Sequence, residues 1–325
     1  MCVYKVKLRL AGRMTQLPDS QKIFGALMHR YAKVDEQKVT EFTKQIREGM
    51  TQCNISNLMP SDYLPVPRAY LNDALSQINA EDKKSIYKEI KKRQFVRKCD
   101  LNKILNSPEH ANQWYPYVVL DESQDIHASI ESLRLDVPGL NPNVYSVPNV
   151  TAVKVEQTEI GEKRASIHEF EFYLAIKDET VRTDLTKLLK QMQDEQEPMI
   201  LGPRASQGLN LYYVIGYEEE KEKEYGNYYL NLGMMLPKQI DFTASSTALE
   251  YFTSERKPYH LNNYNKATKD KRYSISFIKA GSIVGVDGDK AYASKSIQSP
   301  FDEKAIVFGN SFLFPIPLED GGLDK

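Results

Sequence analysis

The sequence predicts an α+β fold built from two ferredoxin-like (RRM-like) halves, the second degenerate. Three observations point there. Residues 3–10 alternate apolar and polar, as a strand with one buried face does. Over the first two-thirds, the patterns run β, α, insertion, β, β, α, β, which is the split βαβ order. Beyond the acidic run EEEKEKE at 218–224, shorter patterns repeat a reduced version of it. The expected division is 1–217 and 226–325, with the insertion at about 56–150 and a hairpin at about 151–176.

Each element has its own signal. After the first strand, Ala11-Gly12 breaks the pattern and Pro18-Asp19-Ser20 offers a helix start. Ile23, Phe24, Leu27, Met28 and Tyr31 follow at helical spacing, and a second helix is expected over 36–47. Residues 56–72 hold three prolines and are expected to be neither helix nor central strand. The basic segment 81–98 begins as a helix and turns to strand near Phe95. Residues 106–150, rich in Pro, Asn and Ser, read as a long insertion with little regular structure. Strands at 151–158 and 167–176 flank Gly161-Glu162-Lys163-Arg164 and predict a hairpin with a charged tip. A helix over 178–194, the loop Ile-Leu-Gly-Pro-Arg-Ala-Ser-Gln-Gly and a strand at 209–217 complete the first half. In the second, strands are expected at 228–235 and 305–315, a short helix at 245–252 and a hairpin at 273–286. The acidic run reads as the linker.

Composition narrows the function. With 325 residues, 41% hydrophobic and 27% charged, this is an ordinary globular composition. No run approaches the roughly 18 apolar residues of a membrane span, and the first residues lack the apolar core of a signal peptide. A cytoplasmic protein without a membrane partner is expected. The three cysteines, at 2, 53 and 99, suggest neither a disulfide framework nor a zinc site. The five histidines show no ligand spacing, so no metal or cofactor is expected. Asp287-Gly288-Asp289 resembles the start of a calcium loop, but Ala291 and Tyr292 stand at later ligand positions, and a turn is the better reading. Walker A, GxGxxG, HExxH and GxSxG patterns are all missing. His29, beside Arg30 on the first helix, is the one candidate general base for RNA cleavage. No second proton carrier accompanies it, so no enzyme is expected.

Binding chemistry remains. Formal net charge is −1, yet residues 83–98 carry eight basic side chains against Glu89. That band, with Lys163, Arg164 and Arg204, can neutralise phosphates. Gly202 and Gly208 allow turns and close approach, while Ser206 and Gln207 add polar groups to the same loop. Tyr212, Tyr213, Phe170 and Phe172 offer stacking faces, although alternation buries half of them.

Together these parts resemble a family. LPDSQKIFGALMHRYAK on the first helix, YLPVPRAYL, IKKRQFV, the hairpin at 151–176 and LGPRASQG are similar to a RAMP-superfamily CRISPR subunit. Within it the chain most resembles the fourth subunit of the type III-A (Csm) effector complex. KDKRYSISFIKAGSIV and AIVFGNSFLFPIPL extend the likeness to nearly the whole chain. The resemblance implies a non-catalytic subunit of antiviral defence that caps crRNA at its 5′ repeat-derived tag. Its implied partners are the crRNA, the large polymerase-like subunit and the backbone RAMP subunit. It puts Ser20 and Lys22 of the first helix, a thumb hairpin near 151–166, and the glycine-containing loop against RNA. The RNA-binding set is then Ser20, Lys22, Arg68, Lys91, Lys92, Arg93, Lys154, Lys163, Arg164, Gly202, Arg204, Ser206, Gln207 and Gly208. Structural alternatives stand beside several of them: Arg68 packing its connector, Lys163 and Arg164 solubilising a tip. A RAMP endoribonuclease that cuts repeat RNA with His29 is the alternative function.

Overall fold

The alternating N-terminus forms β1 (Cys2–Ala11), with Val6 and Leu8 fully buried. Helix α1 (Ser20–Ala32) starts where the Asp19 carboxylate accepts the Lys22 N–H at 2.9 Å, and buries the five apolar residues whose spacing predicts it. Helix α2 (Glu36–Glu48) is capped likewise by Asp35 and stops at Gly49, whose φ of 75° suits glycine. The structure, a computed structural model, describes residues 1–78, 82–129, 143–221, 225–256, 273–300 and 305–318.

Three short strands follow: β2 (Cys53–Ile55), β3 (Met59–Pro60) and β4 (Tyr63–Pro65). The expectation that 56–72 contains no helix fails at its end. Pro67 occupies the N-cap of α3 (Arg68–Gln77), where its missing N–H costs no helical bond. Next come α4 (Lys83–Lys92), β5 (Phe95–Arg97) and α5 (Leu101–Asn106).

The region expected to be irregular is instead a long ribbon. Strands β6 (Tyr117–Ser129) and β7 (Asn143–Thr158) pair from Tyr117↔Val155 out to Ser129↔Asn143. Its outer part faces solvent on both sides, so it lacks the apolar alternation that betrays a half-buried strand. The predicted hairpin also exchanges a partner. β7 turns at Glu159-Ile160 into β8 (Gly161–Ser166), while β9 (Glu169–Ile176) pairs with β1 in another sheet. Burial explains the split: Phe170, Phe172, Leu174 and Ile176 are fully buried, whereas β8 is polar and exposed. Helix α6 (Glu179–Asp194), capped by Asp178, and strands β10 (Met199–Ile200) and β11 (Leu211–Glu219) finish this half.

The second half contains β12 (Tyr228–Asn231), β13 (Ile240–Asp241), β14 (Tyr251–Arg256), β15 (Tyr273–Ile278), β16 (Ile283–Val286), β17 (Ile297–Gln298), β18 (Ile306–Val307) and β19 (Leu313–Pro315). The helix expected at 245–252 is not formed; that stretch is turn running into β14. The expected hairpin at 273–286 divides, β15 pairing with β14 and β16 with β12 and β13. The acidic run is not a free linker. Glu218 and Glu219 end β11, Glu218 pairs with Lys5 at 2.8 Å, and Glu220 pairs with Lys98. Residues 222–224 lie outside the described residues.

The first sheet runs β10–β11–β1–β9–β2, with β3 also on β9 and every pair antiparallel. Taking β1, β2, β9 and β11 as strands 1 to 4, the order is 4-1-3-2, with α1 and α6 in the two crossovers. The second sheet runs β19–β12–β16–β13, again antiparallel. Numbered in chain order it is also 4-1-3-2, but no α-helix occupies its crossovers among the described residues. In both sheets the connection from strand 2 to strand 3 carries a ribbon, β6–β7 in one and β14–β15 in the other. One cluster of buried side chains runs through both halves. At their seam Phe24 stacks on Phe308 at 4.1 Å and Tyr173 on Phe312 at 5.0 Å.

Candidate nucleic-acid interface

The glycine-containing loop joins β10 to β11, and left-handed backbone shapes it. Arg204 has φ 64°, Gly208 φ 75° and Asn210 φ 57°, around a 3-10 turn at Ala205–Gln207. A left-handed arginine is a sparsely populated state that its surroundings must hold. Asn210 does much of the holding. It is fully buried; its Oδ1 accepts the Thr15 N–H at 2.8 Å, and its Nδ2 donates to the Pro203 carbonyl at 2.8 Å and Thr15 Oγ1 at 2.9 Å. Two glycines are required by packing here. A Cβ on Gly202 would lie 2.7 Å from Asn210 Cγ, and one on Gly12 would lie 2.9 Å from the Gly208 carbonyl oxygen.

Residues 13–15 tie this loop to the ribbon. The Asn210 N–H donates to the Arg13 carbonyl at 2.9 Å, and the Val150 N–H of β7 donates to the Met14 carbonyl at 2.9 Å. Side chains complete the junction. Arg13 pairs with Asp125 of β6 at 2.5 Å. The Arg204 guanidinium lies 5.1 Å from the centre of the Tyr145 ring and donates to Gln207 Oε1 at 3.2 Å. Tyr145 in turn stands 5.5 Å from His127, its partner across the ribbon, with the ring planes 13° apart. Between them opens a cleft of about 270 Å³, lined by Arg13, His127, Tyr145, Asn149 and Gln207 among others. Cationic groups beside parallel rings suit phosphates and unstacked bases.

The structure sorts the sequence-predicted residues. Gly202, Arg204, Ser206, Gln207 and Gly208 come together on the loop, with Ser206 and Gln207 exposed. Ser20 does not reach a surface: it is fully buried, and its Oγ accepts the Met234 N–H at 3.1 Å across the seam. Lys22 is half-buried on its own N-cap, Asp19, at 2.7 Å. Arg68 donates to the carbonyls of Lys91 at 3.0 Å and Arg93 at 3.1 Å, closing the end of α4; burial pulls its pKa down. Arg93 is fully buried beside the Tyr115 and Tyr117 rings and bonds Glu89, so RNA cannot touch it. Lys92 bonds Glu162 at 2.7 Å, and that carboxylate holds its ammonium above the usual range. Lys154 pairs with Glu156 at 2.8 Å and Arg164 grips Asp121 with bonds of 2.9 and 2.7 Å. Lys91 and Lys163 are exposed. Of the expected stacking rings, Tyr212, Phe170 and Phe172 are core, and Tyr213 is partly exposed.

The residues that sequence reasoning missed are Arg13, Asp125, His127 and Tyr145. Three of them sit in the stretch expected to be irregular, and their meeting depends on a cross-strand register that no local spacing displays. A second buried polar cluster lies around Glu171 of β9. Glu171 is fully buried, and burial first of all pushes its carboxyl up to about 7. The Asp62 amide, the Asp62 carboxylate, Lys5 and Lys98 act on it, and Lys98 donates to the Tyr173 hydroxyl at 3.1 Å. Elsewhere, His29 is exposed on the last turn of α1. Asp289 caps the short turn Lys290–Tyr292. No group of three or more His, Cys, Asp or Glu residues is placed to hold a metal among the described residues. No described helix is long and apolar enough to cross a membrane.

A ferredoxin-order sheet carrying a ribbon and a glycine-containing loop, followed by a second antiparallel sheet, makes this an α+β chain. The solved structures make that fold Csm4-like. In a Csm3-Csm4 subcomplex of the type III-A CRISPR-Cas interference complex, the similar chain gives a TM-score of 0.57 at 15% identity, over 98% of this chain and 100% of that one. In Csm1-Csm4 cassettes with cA4 and with AMPPNP the TM-scores are 0.56 and 0.55, at 15% and 16% identity, each over 99% of this chain and 100% of the other. No family model and no curated protein matches the sequence.

Proposed function

We propose that this chain is a non-catalytic, crRNA-binding subunit of a type III-A CRISPR interference complex. In it the chain caps the 5′ repeat-derived tag and bridges the large polymerase-like subunit to the backbone RAMP subunits. The observation that supports this is the whole-length likeness to chains solved in a Csm1-Csm4 cassette and in a Csm3-Csm4 subcomplex. The junction of loop and ribbon supports it, because cations and stacked rings converge there from separate parts of the chain. In this reading both halves are ferredoxin-like, the second without an α-helix among its described residues. The ribbon β6–β7 serves as the thumb beside the tag, in place of the hairpin at 151–176, and Lys163 and Lys91 offer further phosphate contacts.

Crosslinking of the assembled complex tests the proposal. Peptides containing 202–208 and the strands of the ribbon should carry crRNA, joined to tag nucleotides. Crosslinks from this chain to protein only would overturn it. The non-catalytic part is tested separately: purified chain should leave repeat RNA intact, and cleavage abolished by His29→Ala would establish the endoribonuclease instead.

A further inference from the structure

Where the two halves meet, a groove of about 840 Å³ opens beside the first residues of β1. The junction of loop and ribbon lies past the other end of that strand, ten residues and roughly 30 Å away. Three lysines from separate parts of the chain gather at one end of the groove. Lys177, just after β9, donates to the Tyr292 hydroxyl, and its ammonium lies 4.8 Å from the centre of that ring. Lys238, between β12 and β13, lies 5.8 Å from the same ring. Lys290 lies 5.5 Å from the Tyr229 ring. Aromatic rings hold ammonium groups in place without neutralising them. Lys177 and Lys238 are exposed, and neither forms an ion pair among the described residues. Asp289 acts on Lys177 but is engaged by the Ala291 N–H at 2.9 Å.

The rest of the lining says what kind of anion fits. Glu219 stands at the other end; the strand order β11–β1–β9 sets it two strand spacings from Lys177, roughly 10 Å. In all, the groove is lined by Lys177, Lys221 and Lys290 against Glu219, Glu220 and Asp289. A nucleic-acid strand, anionic at every residue, loses along this lining what it gains at the lysines. A peptide places its carboxylates at one end only. Asn54 adds a second requirement. It lines the groove and is buried; its Nδ2 donates to the Ser311 carbonyl at 3.0 Å, while its Oδ1 has no hydrogen-bond partner among the described residues. A buried acceptor without a donor is costly, and a peptide backbone brings an N–H at every residue except proline.

We propose that this groove docks an extended acidic segment of a neighbouring protein subunit, its carboxylates held by Lys177, Lys238 and Lys290. The inference rests on the bridging role proposed above, for which it names a surface and a chemistry. Carbodiimide coupling of the assembled complex tests it, because the reagent joins ammonium groups only to carboxylates already in contact. Lys177, Lys238 or Lys290 should be found joined to an Asp or Glu of another subunit. Coupling of these lysines within this chain only, or photocrosslinks from them to RNA, would overturn the docking site. Lys177→Gln combined with Lys238→Gln should weaken binding of the full chain to the subunit so joined by about 2- to 30-fold at low salt, and the deficit should shrink as salt rises. Lys33→Gln combined with Lys44→Gln removes the same charge from other exposed positions and should leave that affinity unchanged. Undiminished binding by the first pair, or an equal loss from the second, would overturn the docking site and leave the bridging role standing. Failure of the unmodified chain to bind any subunit would overturn both.

Discussion

The two halves share a strand order and differ in what covers it. In the first, α1 and α6 bury one face of the sheet, with Ile23, Leu27, Leu185 and Leu189 all in the shared core. In the second, no described helix of its own does so, and the half packs on rings of the first: Phe308 lies on Phe24 of α1 and Phe312 on Tyr173 of β9. Hydrogen bonds follow the same path. Ser20, at the first turn of α1, accepts from Met234, and a Cβ on Gly233 would fall 2.6 Å from the Ile55 carbonyl oxygen. A sheet needs an apolar layer against it wherever that layer comes from. The second half therefore borrows its layer, and the two halves should unfold as one.

The sharpest way to break that comparison is Phe308→Ala. Phe308 is buried and stacked, with its ring plane 9° from that of Phe24, so truncation should cost about 3–5 kcal/mol. Denaturant unfolding followed by two probes, one in each half, should give coincident transitions shifted together. Separate transitions would show that the second sheet stands without its neighbour.

How much of this could be read from the sequence follows the same logic of burial. Where one face is buried and the other is not, the pattern was legible: β1, α1, α2, β9 and α6 all stand where alternation, spacing and an Asp cap put them. The ribbon was not, because its outer residues meet solvent on both faces and Pro148 reads as a breaker inside β7. The loop at 202–208 was legible from its glycines, but the side chains that the ribbon brings to it were not. His127 and Tyr145 are far apart in the chain and meet only through register. Charge misled in the opposite direction. Arg93 belongs to the most basic stretch of the chain, yet it is fully buried, spent on Glu89, the Trp114 carbonyl and two tyrosine rings.

The buried carboxyl of β9 gives the next prediction. Glu171 has its carboxyl raised from 4.5 to about 7, chiefly by burial. At low pH the group is protonated whether the chain is folded or not, and it adds nothing. Between about 4.5 and 7 the unfolded chain releases this proton while the folded chain keeps it, so stability falls as pH rises. Above about 7 the whole penalty applies, on the order of 3 kcal/mol. Glu171→Gln should flatten this part of the pH–stability curve and stabilise the chain at pH 8. An unchanged slope would place the dependence on other groups.

Two buried asparagines, Asn210 in the first half and Asn231 in the second, each organise a loop, and comparing them sharpens the contrast. Asn210 ties the glycine loop to Thr15 and Pro203, while Asn231 donates to the carbonyls of Gly233, Ile278 and Lys279 and accepts from Ser311 Oγ. Replacing either by Ala strands buried partners, at about 1–3 kcal/mol. The consequences should differ in kind. Asn210→Ala should speed hydrogen exchange at 202–210 and weaken RNA binding. Asn231→Ala should loosen the seam near Gly233 and leave RNA affinity as it was. Equal effects on RNA binding would mean that the interface reaches further into the second half than the cleft.

The smallest expected effect is at the latch between the first ribbon and residues 13–15. Arg13 and Asp125 are both solvent-accessible, with side chains 58% and 35% exposed, and such pairs contribute about 0–1 kcal/mol. Asp125→Asn should therefore barely move the unfolding midpoint. It should, however, free Arg13 beside the cleft and remove a carboxylate from the path of a phosphate. One added phosphate contact on a single strand steepens the dependence of log affinity on log salt by about 0.7, so RNA binding should tighten at low salt and converge with the unmodified chain at high salt. The second ribbon provides the control. At its base Glu250 pairs with Lys279 at 3.2 Å and is similarly accessible, so Glu250→Gln removes the same charge from the other half. A matching change in slope there would reduce the Arg13 effect to net charge alone; no change there would tie it to the cleft.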